Sequence, residues 1–192
     1  MPTTTRPFER FHFDLFGGKT SLPFNKEKYK YVLVVTDDYT RYRWAWALSR
    51  KSQAVHKLQW LWRSLRAKHP EFKPNIAYIH TDDAKEWQLQ EFQEFIQEQG
   101  ITLEISTPYN HEQNGVAERA NRIIIEILRS LLIQSQLPDS LWPSLLPLAL
   151  LHANMAPKPT HAQTGRLPTP FQELFGRPSP LYTKVRPCGV LV

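Results

Sequence analysis

The chain has 192 residues, enough for one globular domain with a buried core, and a single cysteine, Cys188. One cysteine excludes an internal disulfide framework and a cysteine-rich zinc site within this chain, so a reducing compartment is the default. No apolar run approaches the roughly 20 residues of a membrane span, and no membrane partner is expected. A net charge of +6 suits a polyanionic partner and a basic, solvated surface equally well, because the excess is spread along the chain.

Three β-type segments come first in the chain. Residues 8–16 and 42–48 alternate apolar and polar side chains, and residues 29–36 carry a β-branched run. Gly17 and Gly18 mark a turn after the first segment. The close spacing of the segments predicts an antiparallel meander of three strands.

Helices and two more strands are predicted next. A helix begins at Ser52 and ends before Pro70, a strand covers residues 76–82, a second helix covers residues 87–99, and a short strand covers residues 101–105. The first helix has its apolar stripe at Val55, Leu58, Leu61, Trp62 and Leu65. The second is predicted to face inward with Leu89, Phe92, Phe95 and Ile96.

The longest helix is predicted from about Asn114 to Ser135, after a polar loop over residues 106–113. At 100° per residue its apolar stripe is Val116, Ala120, Ile123, Ile127 and Leu131. The opposite face carries Glu118, Arg122, Glu126 and Arg129. An ion pair between Glu126 and Arg129 is the preferred interpretation of those two residues.

The composition changes after residue 155. A further helix over residues 140–154 precedes the change, and ten of the 16 prolines lie beyond residue 137. Residues 6–155 are therefore predicted to form the core, and residues 156–192 a proline-rich connector with one short helix over residues 169–175. The apolar end at residues 190–192 suggests a chain cut from a longer polyprotein product. The order of elements predicts an α/β fold with a mixed five-stranded sheet flanked by helices.

Three carboxylates, Asp14, Asp82 and Glu118, stand at element termini, with 35 residues between the second and the third. Like charges brought together raise each other's pKa unless something cationic holds them. A hard divalent cation is the usual solution, and two such ions about 4 Å apart make an in-line phosphoryl-transfer site. The pattern predicts a site that cuts or joins nucleic acid.

Several segments resemble one known family. Residues 107–122 (Thr-Pro-Tyr-Asn-His-Glu-Gln-Asn-Gly-Val-Ala-Glu-Arg-Ala-Asn-Arg) resemble the active-site loop and helix of retroviral and retrotransposon integrases. Residues 81–87 look like that family's second acidic segment, and residues 11–17 look like its first. Similarities to integrases of the copia group of retrotransposons continue at residues 34–41, 141–142 and 169–176. The resemblance covers nearly the whole chain.

The resemblance implies an RNase H-like fold and a DNA integrase with a D,D-35-E acid triad of Asp14, Asp82 and Glu118. The cofactor would be Mg²⁺ (or Mn²⁺), two ions per active site when DNA is bound, with Asp14 bridging both. The reactions would be 3′-end processing and strand transfer of retrotransposon DNA into target DNA. The implied partners are element ends, target DNA and further copies of the chain, as a dimer or higher oligomer. The implied location is the nucleus, after assembly in cytoplasmic particles.

Other residues of the resembling segment are predicted to contact DNA. In the loop these are Tyr109, Asn110, His111, Gln113 and Asn114. On the helix, Arg119 and Arg122 suit phosphate, although surface ion pairs explain them too, and Asn121 is expected beside the metal site.

Four further features have simpler interpretations. Trp60 falls opposite its helix's apolar stripe and is predicted to be an oligomer interface residue. His12 and His80 share strand faces with the acids and are interpreted as structural. Asp37 and Asp38 are interpreted as turn residues. Asp83-Ala84-Lys85 stands where the family usually has Asn-Gly-Gly, which places a cation close to the site and removes no ligand.

Two rival functions stay open at this point. One is an RNase H-like nuclease that cleaves without joining. The other is a domesticated, non-catalytic DNA-binding or assembly module. Ala84 and Lys85 favour this alternative, whereas the intact acids argue against it.

Overall fold

A mixed five-stranded sheet organises the protein. The computed structural model describes residues 4–17, 29–70, 76–82, 85–106, 111–157 and 168–181, with the backbone alone for residues 85, 86 and 111–114. The strands are β1 (Arg10–Gly17), β2 (Tyr31–Asp37), β3 (Arg43–Leu48), β4 (Tyr78–Thr81) and β5 (Thr102–Ile105). Their order is β3-β2-β1-β4-β5. The first three form the predicted antiparallel meander, and β4 and β5 add in parallel.

Helices cover both faces of the sheet. They are α1 (Gln53–Lys68), α2 (Gln90–Glu98), α3 (His111–Ser135), α4 (Trp142–Met155) and α5 (Pro170–Phe175). A first core cluster joins the sheet to α1 and α2, with Leu33 and Val35 of β2 among its members. A second core cluster joins the other face to α3 and α4, through Val32 and Val34. This layering confirms the predicted mixed sheet flanked by helices. Among the described residues, no helix has the length and apolar character that a bilayer crossing requires.

The long helix α3 differs from its prediction in two ways. It begins at His111, so residues 111–113 are helical rather than part of a loop. Its buried stripe is also rotated, because Val116, Ile123 and Ile127 are only half-buried. The buried positions are Ala117, Ala120, Ile124, Leu128 and Leu131. Isoleucine at positions 123, 124 and 125 made several facing directions equally apolar, and packing against both the sheet and α4 selected one.

A second correction concerns Leu89, which was expected to face inward and is exposed. The predicted continuous helix is broken into a 3₁₀ turn, Lys85–Gln88, and α2. Leu89 lies between them with an extended backbone, so its side chain leaves the helical stripe. Phe92 and Ile96 are buried as predicted.

The short helix α5 confirms the prediction for residues 169–175 and packs on the core. Thr169 and Gln172 form a capping box, and Gly176 ends the helix with a positive φ. Leu174 is buried in the first core cluster, and Phe171 and Phe175 contact the ring of Tyr42. The short helix thereby closes the edge of the sheet beside β3.

The turn after β2 is held by its two aspartates, as predicted. Asp37 is fully buried and accepts hydrogen bonds from the Phe8 and Thr40 backbone amides at 2.7 and 2.8 Å. Asp38 accepts from the Thr4 hydroxyl at 2.9 Å and lies 2.7 Å from the Arg41 guanidinium. Both carboxylates therefore belong to the fold.

Removing the charge of Asp38 should destabilise the protein in a pH-dependent way. Burial raises the pKa of Asp38, but the hydrogen bond and charge of His12 and the charge of Arg41 outweigh it and hold that pKa well below its usual range. A lowered folded-state pKa contributes stability above about pH 4 that is lost as the pH falls. Asp38→Asn should therefore cost about 2 kcal/mol at neutral pH, and the difference from wild type should shrink towards pH 3, as measured by urea unfolding at both values.

The exposed Asp139, at the start of a 3₁₀ turn, provides the matched control. Asp139→Asn should change the unfolding free energy by about 0.5 kcal/mol or less, at either pH. An Asp38→Asn effect that stays constant down to pH 3 would contradict this account of the turn.

Candidate active site

The register of β1 and β4 brings Asp14 and Asp82 side by side. The two strands pair in parallel as Arg10↔Tyr78, Phe11↔Ile79 and His12↔His80. Continued two residues further along both strands, this register would place Asp14 opposite Asp82, and neighbouring strands are about 4.8 Å apart. Side chains alternate between faces, so both acids lie on the face that carries α3.

The helix α3 brings Glu118 to the same place. Its buried face, at Ala117 and Ala120, sits against the sheet, and small side chains permit a close approach. Asn121 follows Glu118 by one turn and donates a short side-chain hydrogen bond to Oδ2 of Asp14. That bond ties α3 to β1 at the level of the acids. The contact joins two of the predicted residues, Asp14 and Asn121, and Glu118 lies one turn before Asn121 on α3.

The charges of Asp82 and Glu118 both act on Asp14. Burial and these two charges, opposed by the Asn121 hydrogen bond, raise the pKa of Asp14 to about 6. Yet in the part of the chain that the structure describes, no three His, Cys, Asp or Glu side chains are gathered tightly enough to hold a metal ion. The carboxylates are therefore near enough to repel one another without forming a closed cage.

Trp87 is a site residue that sequence reasoning missed. Its indole N–H donates to Oδ1 of Asp82 at 3.2 Å, while its rings are buried in the first core cluster. The 3₁₀ turn Lys85–Gln88 carries it back towards the acid. Its position, five residues after Asp82, is the signal that would have identified it. Asp82 is exposed on its strand end, and Trp87 gives it a rigid partner.

A groove of about 400 Å³ runs along the exposed face of α3 from Glu118. Its lining comprises Phe16, Glu118, Asn121, Arg122, Ile125, Glu126 and Arg129. Arg122 was predicted to contact DNA phosphate, whereas Phe16 and Arg129 were not among the predicted DNA contacts. Arg119 is exposed and lies outside the lining.

The predicted ion pair between Glu126 and Arg129 is wrong. Neither this pair nor Glu118 with Arg122 comes within 4.0 Å among the salt bridges of the described residues. Exposed helical pairs contribute only a few tenths of a kcal/mol, about what fixing two long side chains costs. Both arginines are therefore available to an anion in the groove.

Of the predicted loop contacts, Tyr109 and Asn110 lie outside the described residues. The first turns of α3 contain His111, Gln113 and Asn114, of which the structure describes the backbone alone. Ala84 lies outside it as well, and so does the side chain of Lys85.

Trp60 is exposed as predicted, with 54 % of its surface accessible. Its ring meets that of Trp46 edge to face at 6.2 Å. A second groove of about 400 Å³, here called the β3 groove, lies beside it between β3, α4 and α5. The β3 groove includes Trp44, Trp46, Trp60, Leu150 and Phe171. It is two strands away from the acids, at the edge of the sheet.

Comparison with known proteins identifies the family of this arrangement. The profile of the family described as "Integrase core domain" matches residues 4–111. The retrovirus-related Pol polyprotein from transposon RE2 of Arabidopsis thaliana is 30% identical to this chain over 187 residues, and the one from transposon RE1 is 31% identical over 186 residues. Each alignment covers 97% of this chain. The Ty1-NL2 Gag-Pol polyprotein of Saccharomyces cerevisiae is 29% identical over 161 residues, 83% of the chain. The chain spans only 12% of each plant relative and 9% of the yeast one.

Solved structures agree on the fold. An intasome of simian T-cell lymphotropic virus in complex with the PP2A regulatory subunit B56 gamma matches with a TM-score of 0.70 and 22% identity, over 91% of this chain and 57% of that one. The HTLV-2 integrase catalytic core domain in complex with magnesium (trimeric form) matches with a TM-score of 0.61 and 20% identity, over 88% and 97%. The sheet and its flanking helices therefore have the RNase H-like fold of retroviral integrase cores.

Proposed function

Because the chain belongs to the integrase core domain family and its three acids are neighbours, we propose that it is the catalytic core of a copia-type retrotransposon integrase. It would trim element DNA ends and join the resulting 3′-hydroxyls to target DNA. The observation that carries the proposal is the Asn121–Asp14 hydrogen bond, which ties the helix of Glu118 to the strand of Asp14; a raised pKa of Asp14, to which Asp82 and Glu118 contribute, accompanies it. Three mutually repelling carboxylates at one end of a sheet are costly unless a cation offsets them.

The donor set fits a divalent cation. Carboxylate oxygens are the ligands that Mg²⁺ prefers, and a cation among Asp14, Asp82 and Glu118 would remove their repulsion. Among the described residues the buried amide oxygen of Asn121 has no hydrogen-bond partner, so it can accept a bond from a water. Two bound ions would activate the attacking hydroxyl or water and stabilise the leaving oxygen.

The remaining work falls to this chain's own side chains. Asn121 holds Asp14 in one orientation, and Trp87 does the same for Asp82. Arg122 and Arg129 bind phosphates along the groove that leads away from Glu118, because a guanidinium can bond two phosphate oxygens at once. The chemistry needs no protein nucleophile. We also propose that DNA is contacted by the loop and first-turn residues Tyr109, Asn110, His111, Gln113 and Asn114, and that the protein acts in the nucleus.

A joining assay separates this function from its rivals. The protein is incubated with Mn²⁺, a duplex that mimics an element end and a supercoiled plasmid. Joined duplex–plasmid products are expected, whereas nicking without joining would favour a nuclease. Absence of both reactions, together with unchanged protein stability on Mn²⁺ titration, would favour a non-catalytic module.

Asn121→Ala should weaken divalent-cation binding while leaving the fold intact. The hydrogen bond to Asp14 would be lost, and the carboxylate would no longer be held against α3. Loss of a group that orients a metal ligand typically costs about 10- to 100-fold in affinity. Isothermal titration with Mn²⁺ measures the change, and Ser130→Ala, an exposed change farther along α3, serves as the control. Equal affinities for the three proteins would contradict the assigned role of Asn121.

We also propose that copies of the chain associate through the β3 groove and Trp60. The HTLV-2 integrase catalytic core domain has been solved in a dimeric form and in a trimeric form. An exposed tryptophan beside an apolar groove suits a protein interface, where aromatic anchors contribute most of the binding energy.

Trp60→Glu should shift the protein towards the monomer by about tenfold or more in dissociation constant, since it places a charge in an apolar contact. Analytical ultracentrifugation over a concentration series measures the shift. Ile133, 79 % exposed on α3, gives a matched apolar-to-acidic control in Ile133→Glu. If both variants sediment like wild type, this interface is wrong.

A further inference from the structure

Two histidines lie directly behind the acids. His12 and His80 form the last of the three residue pairs between β1 and β4. β4 ends at Thr81, so Asp82 already lies beyond the paired part of the strand. The separation of Asp14 and Asp82 is therefore governed by the rung that precedes them.

The histidine rings are in contact across that rung. Their centroids are 5.2 Å apart with an interplanar angle of 64°, an edge-to-face arrangement. Both side chains are buried, with 3% and 1% of their surface exposed. Buried rings in contact keep two strands at a fixed distance, because protein interiors are close-packed.

Each ring is also anchored at its outer side. Nε2 of His12 donates to Oδ1 of Asp38 at 3.0 Å. Nε2 of His80 lies 2.8 Å from the Ser106 hydroxyl, which in turn donates to the carbonyl of Thr81 at 3.2 Å. One chain of contacts thus runs from the end of β2, across β1 and β4, to the end of β5. Neither ring can change rotamer without breaking a buried hydrogen bond.

Space filling alone does not explain this arrangement. An apolar pair would fill the same volume without needing partners at both outer ends, and burying polar rings is favourable only when they are bonded. Each ring is held through its Nε2, while Nδ1 of His12 has no hydrogen-bond partner among the described residues, and buried polar bonds of this kind favour one arrangement of the elements they join. Here the elements are the two strands that present Asp14 and Asp82.

We propose that His12 and His80 are positioning residues that brace β1 and β4, so that Asp14 and Asp82 stand at the separation needed to share a divalent cation. This inference rests on the proposed function. The brace acts as a unit: the contact chain fails wherever it is broken, so breaking it twice should cost no more than breaking it once.

A double-mutant cycle on Mn²⁺ affinity tests the brace, with titration calorimetry in the absence of DNA as the readout. His12→Phe and His80→Phe each keep a ring and lose an anchor. Each should weaken Mn²⁺ binding about 10- to 100-fold, and the double variant should be no weaker than the singles. Ile96→Val, in the first core cluster on α2, lowers stability away from the acids and should bind Mn²⁺ like wild type.

The possible outcomes are distinguishable. Histidine variants that bind as tightly as wild type, or that lose no more affinity than Ile96→Val, overturn the brace and leave the proposed function standing. Losses that add in the double variant overturn it too. A wild-type chain that binds no Mn²⁺ overturns the proposed function and the brace together. If a phenylalanine variant does not fold, Ser106→Ala removes the anchor of His80, keeps both rings, and is judged by the same criteria.

Discussion

Glu118→Gln is expected to abolish DNA joining, with a loss of about 1,000-fold or more, because it would remove a proposed ligand of the two metal ions, which would supply several kcal/mol to the transition state. The substitution keeps the shape of the side chain and removes its charge. Glu118 is exposed at the mouth of the groove on α3, so no buried contact is lost. The protein should therefore stay folded while it loses activity.

Glu126→Gln is the matched control for that experiment. Glu126 lies on the same exposed face of the same helix, lines the same groove, and is two turns farther from Asp14. It should retain joining within about threefold of wild type, since surface charges act weakly at a distance. Equal losses in the two variants would mean that negative charge along the groove matters and that Glu118 is not a ligand.

The thermal stability of both variants provides a second comparison. Neither side chain is buried, so without metal Glu126→Gln should melt like wild type, and Glu118→Gln should melt at the same temperature or slightly higher because it removes one repelling charge. With Mn²⁺ added, wild type and Glu126→Gln should be stabilised, because a ligand that binds only the folded state raises its stability. With Mn²⁺ and the element-end duplex both added, Glu118→Gln should show a smaller rise than either of them, because Glu118 is proposed to bind metal when DNA is present.

Trp142→Ala is expected to cause the largest loss of stability, about 3–5 kcal/mol, because it leaves a cavity in a closed core. Trp142 is fully buried at the start of α4 and belongs to the second core cluster, together with Ala120, Ile124 and Leu128 of α3. It therefore holds the helix that carries Glu118. Folded domains are typically stable by only about 5–15 kcal/mol, so much of the margin would be lost. Urea unfolding at neutral pH measures the change.

Trp142→Phe separates lost packing from lost polarity. The indole nitrogen of Trp142 is buried and has no hydrogen-bond partner in the described part of the chain. Phenylalanine removes that unsatisfied donor and keeps most of the apolar contact, so its cost should stay within about 1.5 kcal/mol. A phenylalanine variant as unstable as the alanine one would contradict the packing account.

The strands and the first helix could be predicted because their apolar patterns are compatible with only one type of secondary structure. Alternation in β1 and β3, and the apolar stripe of α1, each specify which face is buried. The acids could be expected near one another because Asp82 ends one predicted strand and Asp14 lies near the end of another. The register that would put Asp14 beside Asp82 was not predictable, because it depends on how β1 and β4 pair residues that have 67 others between them in the sequence.

The facing of α3 and the supports of the acids needed the structure. Isoleucine at three successive positions left the rotation of α3 undetermined until both the sheet and α4 packed against it. Trp87 supports Asp82 only because a 3₁₀ turn replaces the expected helix there. Asn121 was expected beside the metal site from the family resemblance, whereas its hydrogen bond to Asp14, which joins residues 107 positions apart, was not predicted. Tertiary packing, which local patterns do not encode, decided the rotation of α3 and the contact of Trp87 with Asp82.

A crystal structure of the protein grown with Mn²⁺ tests the role of the acids most directly, because manganese is located by its anomalous signal. The account predicts manganese coordinated by carboxylate oxygens of Asp14 and Asp82, with Glu118 joining when DNA is bound, at about 2.0–2.5 Å. Saturating Mn²⁺ that leaves no anomalous peak among these three side chains, or one held by other residues, would contradict it.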